Sequence, residues 1–201
     1  VVVAYGKIIP NKILSLTPLG SLNVHPSLLP KYRGPSPIQY ALLDGEGETG
    51  TTIMSIDSEV DHGPIFAQNK LTISPQDTFK TLSAKLADLS SILLNETITK
   101  IKGGLATSHE QNHSQATFTK IITKEDGKIN WNSDASQIYN QFRAYYSWPG
   151  IWTTLEGTIL KITDCLPNST QNNALPGTIL PGGLVQCAKG QLKIKNLQLA
   201  G

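Results

Sequence analysis

A short apolar strand that ends in a polar pair and a proline-rich loop is the feature that most restricts how this chain can fold. Residues 22–24 read Leu-Asn-Val and His25 follows, so Asn23 and His25 stand two residues apart. Side chains at i and i+2 of a strand point to the same face. Pro26 and Pro30 then end the strand, because proline cannot donate to a ladder. Ligands bind at the carboxyl ends of strands in open α/β sheets, so we expect the functional site here.

A lone Asn or His at a strand end is more often structural, so the hypothesis needs support from a second element. Residues 57–63 form a polar turn between two apolar runs, 51–56 and 64–71, that are typical of strands. The turn offers the carboxylate of Asp61. We expect Asp61 to pair with His25, to orient the ring and to favour its protonated form.

The start of the chain predicts a parallel strand arrangement. Residues 1–5 are a β-branched apolar run that suits a buried parallel strand, and residues 10–16 read as a short helix that begins with proline. With residues 22–24 they form a right-handed strand–helix–strand crossover. One such unit is not a complete doubly wound domain, so we expect the sequence to lack the first part of the sheet. The ending at Ala200-Gly201 suggests that a short C-terminal piece is missing as well.

Two helices and a turn follow the loop. Residues 37–43 predict a helix, and residues 44–50, rich in glycine and acids, predict a turn. A long helix is expected from Ser74 to about Lys102, ending at Gly103-Gly104. Its apolar residues recur every three or four positions and predict a core-facing stripe: Phe79, Leu82, Leu86, Leu89 and Leu93.

The remainder of the chain changes character. Residues 105–115 are polar and predict a linker between a domain of residues 1–104 and a second domain of residues 116–201. The second domain shows one helical pattern, residues 134–146, and five short strands divided by Gly, Pro and Asn turns. The expected strands are 152–155, 158–163, 177–180, 184–187 and 192–199. Such a series predicts a small antiparallel barrel of the OB type.

Composition excludes several classes of protein. The hydrophobic fraction of 39% and the charged fraction of 16% are typical of a globular domain, and no apolar run approaches the length of a membrane span. Cys165 and Cys187 lie far apart and outside any metal-type spacing, which favours a reduced, cytoplasmic chain without a metal. Residues 115–201 hold 8 Lys and Arg against 5 Asp and Glu, a surplus that permits contact with a polyanion.

The motifs carry a resemblance to a known family. Residues 23–30, with Tyr32-Arg33-Gly34 after them, and Asp61 followed by Gly63 resemble the formyltransferases that use 10-formyltetrahydrofolate. Segments of both domains are similar to the branch of that family that acts on methionyl initiator tRNA: 34–39, 47–54, 116–118, 129–131, 143–144 and 148–150. The resemblance covers nearly the whole chain.

The resemblance implies a fold, a reaction and a set of site residues. The fold is α/β, with a partial Rossmann-like formyltransferase domain followed by a small OB-like β-barrel. The reaction transfers a formyl group from 10-formyltetrahydrofolate to the amino group of methionine on initiator tRNA, in a monomer that needs neither a metal nor a membrane. The catalytic residues would be Asn23, His25 and Asp61. The folate-binding residues would be Ser27, Leu28, Leu29, Pro30 and Gly34. The basic residues that would approach tRNA are Lys120, Lys124, Lys128 and Arg143.

The chemistry of the first three residues fits this reaction independently. An amine attacks a formyl carbon through a tetrahedral intermediate that bears an oxyanion, and Asn23 can donate a hydrogen bond to that oxygen. His25 can donate to the same oxygen or move the amine proton. Three alternatives remain open at this point: an acceptor that is glycinamide ribonucleotide, an acceptor that is a sugar nucleotide, or an inactive fragment that only binds.

Overall fold

The structure is a computed structural model that describes residues 1–6, 9–14 and 16–199 of the 201-residue chain. The chain forms two compact units. Unit 1 consists of Val1–Ala41, Glu46–Pro75 and Thr81–Ile121, and unit 2 of Leu42–Gly45, Gln76–Lys80 and Ile122–Gly201. The division into 1–104, 105–115 and 116–201 stays a prediction. No helix in the described ranges is both long enough and apolar enough to cross a membrane.

Unit 1 is built on a four-stranded sheet in the order β1-β2-β3-β4. Its strands are β1 (Val2–Val3), β2 (Leu22–His25), β3 (Glu48–Ser55) and β4 (Ile65–Thr72). The first two strands are parallel and the remaining pairs are antiparallel. The short helix α1 (Asn11–Leu14) lies between β1 and β2 in the chain, so the predicted strand–helix–strand order is confirmed. Residue 15, inside the predicted helix, and Ala200-Gly201, the predicted ending, lie outside the described residues.

β1 differs from its prediction in exposure. We expected residues 1–5 to be buried, but 65% of Val1 and 60% of Val3 are exposed. The reason is its place in the sheet, since β1 pairs with β2 on one side and stands at the edge of the described sheet.

The turn predicted for residues 44–50 is shorter than expected, because β3 already begins at Glu48. Gly50 pairs with Lys70 of β4, and a Cβ at position 50 would lie 2.2 Å from the carbonyl oxygen of Asn69. The glycine therefore marks a close approach of two backbones rather than a turn. The predicted helix α2 (Pro37–Leu43) is confirmed.

The long helix α3 (Phe79–Lys102) covers one face of the sheet. Its Leu93 packs with Leu22, Val24 and Ile53 in a buried apolar cluster. Leu82 and Leu86 are also buried, which confirms the predicted stripe at these positions, while Phe79 and Leu89 are only half-buried. The predicted start at Ser74 is wrong: residue 74 precedes Pro75, a position that disfavours helical backbone, and the helix begins five residues later.

Unit 2 contains the helix α4 (Ala135–Ala144) and a five-stranded antiparallel sheet. The helix is capped by Asp134 and Gln137, whose side chains exchange hydrogen bonds with each other's backbone. The strands are β5 (Ile151–Leu155), β6 (Thr158–Asn168), β7 (Ile179–Leu180), β8 (Leu184–Gln186) and β9 (Gln191–Leu199). They lie in the order β5-β6-β9-β8-β7, and no pairing of β5 with β7 closes the sheet among the described residues. The OB-type barrel is therefore not shown.

β6 is longer than the sequence predicted. We expected it to end at Thr163, but it continues through an irregularity at Asp164 to Asn168. β5 pairs only with residues 158–162 of β6, so on the β5 side no strand pairs with Pro167. A proline, which has no N–H to donate to a ladder, is therefore tolerated in this extension.

Candidate active site

Strand β2 delivers Asn23 and His25 to the same site, as its period of two predicts. Val24 between them points into the cluster beneath α3, so its neighbours face the other side of the sheet. His25 is 4% exposed, while Asn23 is half-buried. The loop of residues 26–34 then folds back beside the end of the strand, and its carbonyl and N–H groups complete the surroundings of His25.

Asp61 reaches both residues from the turn between β3 and β4. Its Oδ1 accepts a hydrogen bond from Asn23 Nδ2 at 3.1 Å, and its Oδ2 accepts one from the Gly34 N–H at 2.8 Å. His25 Nδ1 lies 3.5 Å from Asp61 Oδ2. The backbone of Asp61 is left-handed, with φ 48°, and Gly63 lies so close to β3 that a Cβ there would be 2.2 Å from the Ser55 carbonyl oxygen. The structure thus brings the three predicted residues together.

The hydrogen bonds of His25 define its tautomer. Nε2 lies 2.9 Å from the carbonyl oxygen of Tyr32, and since a carbonyl only accepts, Nε2 carries a hydrogen. Burial lowers the pKa of His25 below its usual value, although the Asp61 charge and the Tyr32 carbonyl act in the opposite direction. The Asp61 charge thus acts in the expected direction and favours the protonated ring. Desolvation outweighs the attraction, and the neutral ring leaves Nδ1 free to accept a proton.

This lowered pKa predicts a loss of stability in acid. The folded protein binds a proton at His25 more weakly than the unfolded chain, whose histidine titrates near about 6.5. The contribution of His25 is therefore fully present above that pH and decreases as the pH falls through it. When the pH is lowered from about 7.5 to about 5.5, the denaturant concentration at the unfolding midpoint should fall more for the wild type than for His25→Gln. Equal decreases in both proteins would show that burial of the neutral ring contributes nothing.

The five predicted folate-binding residues occupy different surroundings. Leu28 lines a cavity of about 210 Å³, and Gly34 holds Asp61 through its N–H. The Pro30 carbonyl accepts from the Thr117 N–H. Ser27 is fully buried, and Leu29 packs with Met54 and Ile65. The side chains of Ser27 and Leu29 therefore support the loop from inside the protein, and their contact with folate stays a prediction. The other residues around the cavity are Lys31, Tyr32, Glu46, Glu48 and Thr49.

The four predicted basic residues differ in exposure. Lys120, Lys124 and Lys128 are exposed, and Lys128 lies over the Trp152 ring at 5.7 Å. Arg143 is only 6% exposed, and its guanidinium donates to the Asp77 carbonyl and to Asn140 Oδ1. Burial also lowers the pKa of Arg143. We therefore withdraw Arg143 as a nucleic-acid contact, because its charge is used inside unit 2.

Several residues around the site were missed by sequence reasoning. Residues 105–121, called the return segment here, were interpreted as linker and second domain but belong to unit 1. Their backbone exchanges hydrogen bonds with both sides of Arg33, from Arg33 N to Thr117 O at 2.9 Å and from Thr119 N to Arg33 O at 2.8 Å. Gln111, in the same segment, is buried against Arg33 and the Asp61 turn. No local pattern in a polar stretch signals such a contact.

Among the residues that the structure describes, other reactive groups do not form a metal or thiolate centre. The described residues include no cluster of three or more His, Cys, Asp or Glu suited to a metal ion. Burial raises the pKa of the Cys165 thiol to about 12 and that of Cys187 to about 11. Both thiols are therefore protonated at neutral pH and are poor nucleophiles.

Known proteins match the chain along most of its length. Residues 1–98 match the family model described as formyl transferase, and residues 121–201 match that of the formyl transferase C-terminal domain. The methionyl-tRNA formyltransferases of Roseiflexus castenholzii and Desulforamulus reducens are 42% and 45% identical to it, over the whole of this chain. The chain spans 66% and 65% of the length of these two relatives.

Solved structures show the same fold. An N-formyltransferase from Helicobacter canadensis, in complex with folinic acid and dTDP-3-aminofucose, superposes with a TM-score of 0.73 at 23% identity, covering 88% of this chain and 66% of that one. HypX from Aquifex aeolicus also gives a TM-score of 0.73, at 17% identity, covering 95% of this chain and 35% of that one. At these identities the likeness concerns the fold alone.

Proposed function

The chain belongs to the formyl transferase family, and from that membership we propose that it formylates the amino group of methionine on initiator tRNA with 10-formyltetrahydrofolate as donor. The observation that carries the proposal is the convergence of Asn23, His25 and Asp61 at the end of β2. The names of the two relatives at 42% and 45% identity support the choice of acceptor.

The donor set fits an attack by an amine on a formyl carbon. Asn23 gives one amide hydrogen to Asp61 and keeps the second for the formyl oxygen, on which negative charge develops. A donor of this kind contributes about 10²–10³ in rate. Because Asp61 holds the amide, little reorganisation is needed when the charge appears.

His25 supplies the proton acceptor. Its Nε2–H is held by the Tyr32 carbonyl, so Nδ1 is the nitrogen that can take the proton from the attacking amine. The ring becomes positively charged when it does so, 3.5 Å from the Asp61 carboxylate. It can then return this proton to N10 of the donor as the C–N10 bond breaks, so that the formamide and tetrahydrofolate are released. Asp61 is thus expected to stabilise the imidazolium during the reaction, even though the neutral ring dominates beforehand.

A direct assay tests the acceptor. Protein and 10-formyltetrahydrofolate are incubated with methionyl initiator tRNA, and formylmethionine is measured after deacylation. The same assay with glycinamide ribonucleotide and with an amino-sugar nucleotide covers the two competing acceptors. We expect product only with the charged tRNA. Turnover of an amino-sugar nucleotide without any turnover of the tRNA would overturn the proposed function.

We propose that unit 2 is an OB-like module that approaches tRNA, together with Lys120 at the end of unit 1. Lys120 and Lys124 are exposed. Phosphate contacts by such residues weaken at high salt, because the counterions released on binding then gain less free energy. Replacing both by alanine should raise the Michaelis constant for charged tRNA about three- to tenfold and flatten its dependence on salt concentration. Turnover at saturating tRNA should change little.

The matched control for this prediction is Lys161→Ala together with Lys195→Ala, since both lysines are exposed on the sheet of unit 2. We expect that pair to leave the salt dependence unchanged. The same salt dependence in the Lys120 and Lys124 double variant as in the wild type would mean that these lysines are only solvated.

A further inference from the structure

The return segment of residues 105–121 contributes more to the site than its sequence indicated. The two matched family ranges end at residue 98 and begin at residue 121, so almost all of this segment lies between them. Its contacts nevertheless fall on the loop and turn that hold Asn23, His25 and Asp61. Gln111 is a buried side chain of the segment that contacts both the loop and the turn.

Every hydrogen-bonding group of the Gln111 side chain is used. Its Nε2 donates to the Asp61 carbonyl at 2.9 Å and to the Gly63 carbonyl at 2.8 Å. Its Oε1 accepts from Arg33 Nη2 at 2.7 Å and from Arg33 Nε at 3.2 Å. Gln111 is 6% exposed and Arg33 is 3% exposed, so these bonds are shielded from water and any partner left unpaired is costly.

The three partners of Gln111 lie on two flanks of the site, the turn with Asp61 and Gly63 and the loop with Arg33. Asp61 lies on one side. Its carboxylate faces His25 and Asn23, and its backbone carbonyl accepts a hydrogen bond from Gln111. Arg33 lies on the other side, between two residues that contact the site. Its neighbours provide the Tyr32 carbonyl for His25 and the Gly34 N–H for Asp61. One amide group therefore ties the turn to the loop.

The backbone of the turn explains why such a tie is needed. Asp61 has φ 48° and Tyr32 has φ 62°, left-handed values that cost energy for residues with a Cβ. Conformations of this kind persist when surrounding contacts fix them. Gln111 fixes the Asp61 carbonyl directly, and it fixes the loop beside Tyr32 through Arg33.

We propose that Gln111 is a positioning residue for formyl transfer: it sets the distance between Asp61 and His25 by clamping the turn to the Arg33 loop. The return segment is then a part of the active site rather than a linker. This inference rests on the proposed function of Asn23, His25 and Asp61, and it extends that function to a segment outside both matched family ranges.

A double-mutant cycle tests the proposal. Gln111→Met keeps the length of the side chain and removes its hydrogen bonds, and Asp61→Asn removes the charge that Gln111 is proposed to position. We expect Gln111→Met to lower kcat about tenfold in the wild type and less than about twofold in the Asp61→Asn background, because residues that act as a unit are not additive. The Michaelis constant for charged tRNA should stay within about twofold, because Gln111 acts on chemistry and not on binding.

The control is Gln115→Met, a glutamine of the same segment that is exposed. It should leave kcat unchanged. If Gln111→Met does not fold, Gln111→Glu replaces it, since a glutamate keeps the acceptor for Arg33 and loses both donors to the turn. Equal losses of kcat in the two Asp61 backgrounds would overturn the proposal, because they would show that Gln111 acts independently of Asp61.

A second measurement separates this inference from the proposed function. The titration of the His25 ring is followed by NMR in the wild type and in Gln111→Met. A displaced Asp61 attracts the ring less, so the midpoint of the His25 titration should move to lower pH. An unchanged midpoint overturns the positioning role. Absence of formyl transfer in the wild type defeats the proposed function, yet a shifted midpoint would still support the clamp.

Discussion

Replacing Asn23 by alanine should lower the turnover of formyl transfer by about 10²–10³, the usual effect of removing one preorganised oxyanion donor. Asp61 holds the Asn23 amide at 3.1 Å, so the wild-type donor is already in place when charge develops. We expect His25→Ala to produce a loss of similar size, since Nδ1 is the proton acceptor that the site offers. Steady-state kinetics at saturating methionyl-tRNA measures both effects.

The double variant of Asn23 and His25 should lose less than the product of the two single losses, because both groups serve one transition state. The matched control is His109→Ala, an exposed histidine of the return segment. It should retain full turnover. A folded Asn23→Ala protein with turnover near that of the wild type would remove the amide from the mechanism.

Asp61→Asn should lower turnover by about tenfold or more while the fold is preserved, since the imidazolium formed during the reaction loses its charged partner. An asparagine keeps the size of the side chain, but its amide cannot accept at both positions now used by Asn23 and Gly34. The pKa of His25 should also fall further, because the Asp61 charge is the largest influence that raises it.

Asp57→Asn is the matched control for Asp61→Asn. Asp57 lies in the same turn and pairs with His62 at 2.7 Å, but with one third of its side chain exposed. Such a pair contributes at most about 1 kcal/mol, so its loss should leave turnover within about twofold. If both substitutions reduce turnover equally, the effect belongs to the turn as a whole and not to the Asp61 charge.

The parts of the site that the sequence predicted are those fixed by local rules. The strand period places Asn23 and His25 on one face, and prolines end that strand, so no distant residue is needed to infer their proximity. The contact of Asp61 with His25 was inferred from residue types, and the structure supplies its distance. Asp61 favours the protonated ring as expected, but desolvation of the buried ring, a tertiary effect, outweighs it.

The parts that the sequence did not predict depend on distant contacts. Arg33 and Gln111 are 78 residues apart, and polar side chains in an aperiodic segment give no sign of burial. Arg143 was interpreted as a surface charge, although its position directly after Phe142 on α4 places it where a guanidinium can be enclosed. Gly50 was assigned to a turn because a glycine needed for close strand packing cannot be told from one needed for a bend.

During synthesis on the ribosome, the clamp between Arg33 and Gln111 can form only after the rest of the site has emerged. Residues 22–72 contain the strand with Asn23 and His25 and the turn with Asp61, and all of them emerge before α3 and before Gln111. Closing a loop of 78 residues costs entropy that only the finished contacts repay. A nascent chain can therefore form its sheet early, while the alignment of its reactive groups waits until Thr119 has left the exit tunnel. The proposed activity is thereby tied to completion of unit 1, and a polypeptide interrupted within α3 would carry the three reactive residues without the Gln111 clamp.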